Sequence, residues 1–123
     1  MKVFQYAAFI CLAAFCSCAN NKTEEPKPEP VVECVPGEYS FATNVKPIIE
    51  TKCATSSGCH ATGSFTGDFT NFQELKEKVT NGKFKNSVLD HKAPVMPPMG
   101  SAELTEAELK ILKCWHNNGA PNN

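Results

Sequence analysis

Cys53 and Cys59 are separated by five residues, and His60 follows the second thiol directly: Cys53-Ala54-Thr55-Ser56-Ser57-Gly58-Cys59-His60. Two thiols with an adjacent imidazole can hold a haem covalently: the thiols add to its vinyl groups and the imidazole reaches the iron. The usual spacing places two residues between the thiols, so a five-residue loop must bulge outward, for which Ser56, Ser57 and Gly58 are suited. Ser56 stands where the first thiol of the usual spacing would be, which leaves attachment through Cys59 alone as a variant. Without haem, the pair would be a small-loop disulfide, worth about 2–3 kcal/mol in loop entropy. With His60 and one further ligand the pair would be a zinc site, although no second close pair of ligands exists to complete one. The disulfide explains neither His60 nor the methionine turn downstream at Met96.

Three helical segments are expected to position these residues. The first spans about 44–53, with Val45, Ile48, Ile49 and Cys53 at spacings of three and four. Asn44 is its expected cap, which places Pro47 in the first turn, where a missing N–H costs nothing. The second starts at Thr70, where Thr70 and Gln73 have the pattern of a capping box, and carries Phe72, Leu75 and Val79 on one face. Asn81-Gly82 ends it. The third starts at Thr105 with Glu108 three residues on, presents Leu109, Ile111, Leu112, Cys114 and Trp115, and is closed by Gly119 and Pro121. No period-2 run suggests a strand. The body is therefore expected to be a small all-α domain with long irregular loops at 55–66 and 95–100.

The chain has 123 residues, 12 of them basic and 13 acidic, and every basic residue is Lys. With a formal net charge of −1 and no Arg fork for phosphates, nothing suggests a nucleic-acid partner. The size leaves no room for a large catalytic core. Residues 1–17 have the form of a lipoprotein signal peptide: Lys2, an apolar stretch too short to span a bilayer, then Phe15-Cys16-Ser17-Cys18. Cys18 is the expected lipidation site, the alternative being ordinary cleavage after Ser17 with no lipid. Residues 18–33 are a Pro/Glu-rich tether, with Pro26, Pro28 and Pro30 favouring an extended stalk. Residues 34–123 form the domain. The expected location is the bacterial cell envelope, lipid-anchored at the membrane, on the periplasmic side or at the outer-membrane surface.

The ordered set of motifs resembles small bacterial cytochrome c domains carried by lipoproteins. Asn44-Val45-Lys46-Pro47-Ile48-Ile49 is similar to their lead-in helix, and Met96-Pro97-Pro98 to their axial-methionine turn. Leu104-Thr105-Glu106-Ala107-Glu108-Leu109 through Trp115, then Asn118-Gly119-Ala120-Pro121-Asn122, is similar to their closing helix. The resemblance runs from about Phe41 to Asn123, with the five-residue loop as its departure from the usual pattern. It implies three or more helices around a haem c, with Cys53 and Cys59 as thioether donors and His60 and Met96 as axial iron ligands. Met99 is a rival for Met96, and His91 and His116 offer a bis-histidine alternative from polar surroundings.

A neutral thioether suits haem iron, and a His/Met pair raises its reduction potential. Prolines 94, 97 and 98 would keep Met96 from reorganising as the iron changes charge. The implied function is electron transfer rather than catalysis, between a redox donor and acceptor protein, by a monomer. A haem-free surface binding module stapled by Cys53–Cys59 and Cys34–Cys114 is the alternative. If haem takes the middle pair of cysteines, Cys34 and Cys114 are left to form a disulfide. Trp115 is expected over the haem edge with its N–H towards a propionate, simple core packing being the other option. The lysines at 76, 78, 83, 85 and 92 could dock an acidic redox partner, but interleaved acids favour a solvated face.

Overall fold

A computed structural model describes residues 33–123. The signal peptide, Cys18 and the tether up to Val32 lie outside the described residues. The domain is all-α, with four helices and no strand among the described residues. None of its helices is long and apolar enough to cross a membrane.

The first helix, α1, is a continuous run of Phe41–Val45, Lys46–Ile48 and Ile49–Cys53. It begins three residues earlier than its apolar spacing suggests, because Ser40 rather than Asn44 is the cap. Ser40 Oγ accepts from Thr43 N–H at 3.1 Å, and Asn44 reaches back from inside the helix to accept Ser40 N–H at 2.9 Å. Pro47 has no N–H to return to the preceding turn. The helix is wound wide on both sides of it, with Lys46 N–H bonded to Phe41 and Ala54 N–H to Ile49, each five residues back. The last residue of this run is Cys53.

The second helix, α2, spans Phe72–Thr80 and is capped by Asn71, whose side chain accepts from Gln73 N–H at 2.9 Å. Thr70 is not the cap, because its N–H and hydroxyl are both given to Asp68. A short wide turn, α3, covers Lys85–Leu89. The sequence reading found no helix there. The fourth helix, α4, spans Glu106–Asn117, and the expected capping box of Thr105 and Glu108 is formed.

The core lies where these helices meet. Trp115 on α4 is fully buried, with its ring 5.9 Å from that of Phe41 and 6.1 Å from that of Phe84. Val45, Ile49, Leu75 and Leu112 are buried in the same cluster. The chain's last residue closes on the start of α1, Ala42 N–H donating to Asn123 O and Phe41 N–H to Asn123 Oδ1, both at 2.9 Å. Lys76 on α2 donates to the carbonyls of Gly119 and Ala120 just beyond α4.

Cys34 and Cys114 are joined as a disulfide, with Cα atoms 5.2 Å apart and a separation of 80 in sequence. The bond ties the segment before α1 to the buried face of α4. Closing so long a loop restricts the unfolded chain, so reducing this bond is expected to cost about 2–4 kcal/mol. Urea melts of the oxidised and reduced protein measure this directly as a drop in midpoint.

Candidate functional site

The loop after Cys53 turns back on itself. His60 N–H donates to Cys53 O at 3.1 Å, while Cys59 N–H and Ala61 N–H both donate to Ser56 O at 3.0 Å. These bonds place the two ends of the five-residue insertion side by side, with Ser56 and Ser57 exposed outside. Ser64 and Thr66 donate their hydroxyls to Cys59 O and hold the next stretch against the loop. Phe69 N–H then returns to His60 O at 2.8 Å.

The orientation of His60 follows from its neighbours. Its Nδ1 lies 3.1 Å from Gly67 O and 3.3 Å from Thr66 Oγ1. A carbonyl can only accept, so Nδ1 carries the proton and Nε2 keeps its lone pair. The ring stacks on Phe69 with centroids 3.8 Å apart and planes 2° from parallel. Burial lowers the His60 pKa below its usual value, the Gly67 bond opposes this, and the Lys78 charge adds to the lowering. Burial therefore favours the neutral imidazole, with its lone pair on Nε2. Gly67 has φ +115°, and a Cβ there would stand 3.1 Å from Lys78 Cε and 3.3 Å from Phe69 Cε1. No other residue type fits that position without displacing one of them.

A cavity of about 610 Å³ opens beside this loop, within the range of small-molecule and cofactor sites. Cys53, Cys59, His60 and Met96 all stand on its wall, together with buried Phe69 and Phe84. Phe84, the cap of α3, and Ser87 and Val88 within it reach the cavity at spacings of three and four, one face of a helical turn. The two thiols differ in setting. Burial, and then the nearby Cys59, push Cys53 up to about 11, whereas hydroxyls of Thr55 and Ser56 lower Cys59.

Several expectations can be placed on this geometry. Met96 is half-buried against the core and its N–H donates to Ser87 O at 3.0 Å, whereas Met99 is fully exposed at 102 % and lies off the wall. His60 is the only histidine on the wall among the described residues. His91 is exposed at φ +51° and His116 lies behind Phe84, its ring 6.3 Å away, so a bis-histidine site is not assembled. Cys53 and Cys59 are free thiols rather than a disulfide. No group of three His, Cys, Asp or Glu among the described residues is gathered as a metal-ion site, so the zinc arrangement is not formed.

Trp115 requires a correction. It is absent from the cavity wall, and its Nε1–H is donated to Pro121 O at 2.9 Å. Phe84 stands on the wall and meets the indole edge-on, so Trp115 packs one layer behind the site.

Neither the protein-family models, the curated proteins nor the solved structures contain a match to this chain.

Four wall or support residues are not picked out by sequence pattern. Phe69 and Gly67 act through the loop's return, which no local pattern encodes. The α3 face had a signal in Phe84 and Val88 four apart, but over too few residues to separate from a loop.

Proposed function

We propose that the domain is a haem c electron carrier of the bacterial envelope, tethered through a lipid on Cys18. The observation that carries this reading is the meeting of both thiols, one imidazole and one half-buried thioether on a single apolar-walled cavity. The donor set suits the group. Cys53 and Cys59 would hold the group as thioether donors, by addition of each S–H across a vinyl double bond, which would need no oxidant. When bound, haem supplies an iron that alternates between ferric and ferrous states.

The chain's own contribution is positioning. Gly67 O holds the Nδ1 proton of His60, leaving Nε2 as the donor atom. The Ser87 carbonyl anchors the backbone of Met96 between Pro94 and Pro97, so the thioether is held in a stiff turn. Phe69, Phe84 and Val88 give the wall its apolar lining. Two stiffly held ligands suit transfer of single electrons between a donor and an acceptor protein, with no substrate transformed, and require no partner copy of the chain.

An alkaline pyridine haemochrome spectrum tests the reading, on protein made with a c-type haem maturation system. The wild type is expected to give the two-thioether form and Cys53→Ala the one-thioether form. The one-thioether form in both would leave Cys59 as the sole attachment. Absence of covalent haem would discard the carrier and favour a haem-free module stapled by Cys34–Cys114.

A further inference from the structure

The cavity wall carries three lysines, Lys52, Lys78 and Lys83, and no Asp or Glu. The whole chain has 12 basic and 13 acidic residues, so this is a local sorting of charge. Lys52 is already satisfied, with Nζ 3.6 Å from Glu108 and donating to Glu103 O at 2.7 Å. Lys85 and Lys92, by contrast, are both paired with Asp90 away from the wall.

Lys78 and Lys83 have no carboxylate within 4.0 Å among the described residues. Lys78 is half-buried, its stem laid across Gly67 and its charge felt by His60. It has traded solvent for a place at the His60 end of the cavity, with its ammonium left unneutralised. Lys83 is exposed and immediately precedes Phe84, which is buried and stands on the wall. It therefore sits where the apolar lining meets water. An apolar cavity with two unpaired cations on its wall fits an amphiphile with a flat apolar body and two anionic groups.

We propose that Lys78 and Lys83 are the counter-ions for the two carboxylates of a dianionic tetrapyrrole in this cavity, an assignment that rests on the haem reading above. The lysines act on the carboxylate edge of the ligand, independently of the thiols that bond its vinyl edge. They would therefore select the free diacid over its ester even before any thioether forms.

The test is a titration of the full chain, produced without haem maturation, with iron protoporphyrin IX and separately with its dimethyl ester, followed by absorbance. The wild type is expected to bind the diacid about tenfold more tightly than the diester, the sum of two partly solvated ion pairs. The double variant Lys78→Met/Lys83→Met is expected to lose that preference, and Lys85→Met to retain it. Lys83→Met alone, at an exposed position, is expected to lose about threefold and keeps the test open should the double variant fail to fold. A wild type without preference, or a lysine variant that keeps the full preference, would overturn the counter-ion role while leaving porphyrin binding intact. A wild type that binds neither porphyrin would overturn the haem reading and this assignment with it.

Discussion

Trp115→Ala is expected to remove about 3–5 kcal/mol of folding stability, the ordinary cost of truncating a fully buried large aromatic. The indole is 0 % exposed and joins α4 to Phe41 of α1 and to Phe84 beside α3. Its removal opens a void at the junction of three helices and leaves Pro121 O without the N–H that it accepts at 2.9 Å. Small domains hold only about 5–15 kcal/mol in total, so the variant stands near the limit of folding. Trp115→Phe keeps a ring and loses the hydrogen bond, and is expected to cost less, about 1–2 kcal/mol. Urea unfolding followed by circular dichroism measures both. A melt left unchanged together with a shifted haem spectrum would instead place the indole on the cofactor.

Trp115 also shows where reading from sequence ends. Its position near the end of an amphipathic helix, just before Gly119 and Pro121, correctly predicts an inward side chain. Which inner surface it meets depends on Phe84, brought between Trp115 and the cavity by a five-residue turn too short to leave a periodic pattern. The caps divide in the same way. Thr105 with Glu108 is a local device, and it forms as spaced. Thr70 carries the same local signal, yet the Asp68 carboxylate beside it captures both its N–H and its hydroxyl, and the cap falls one residue later, on Asn71.

The candidate site was legible in its chemistry and not in its supports. Cys53, Cys59 and His60 are marked by residue type and spacing, Met96 by the resemblance of its turn, and all four share one wall. The Cys34–Cys114 pairing followed from setting the middle pair aside, and that bond is formed. The carbonyl that orients His60 belongs to Gly67, seven residues away across an irregular loop. Hydrogen bonds among small hydroxyls shape that loop, and such bonds leave no hydrophobic period to read.

Met96→Ala is expected to lower the reduction potential of the loaded protein by on the order of 100 mV, since axial ligands set haem potentials over a wide range. It is also expected to open the iron to carbon monoxide, which the wild type is expected to resist. Met99→Ala, three residues away, is expected to do neither. Residue type cannot separate these two methionines, because both thioethers sit in one proline-rich turn. The fold separates them: Met96 is half-buried against the core with its N–H on Ser87 O at 3.0 Å, and Met99 is 102 % exposed off the wall. A turn held at that point cannot present Met99 to the cavity without breaking the Ser87 bond and drawing Met96 out of the core. Spectra and redox titrations of the two variants side by side decide the matter. A potential that falls in Met99→Ala and holds in Met96→Ala would mean that the turn repacks around the iron. An unchanged potential in both would place the second ligand elsewhere and remove the His60/Met96 pair from the proposal.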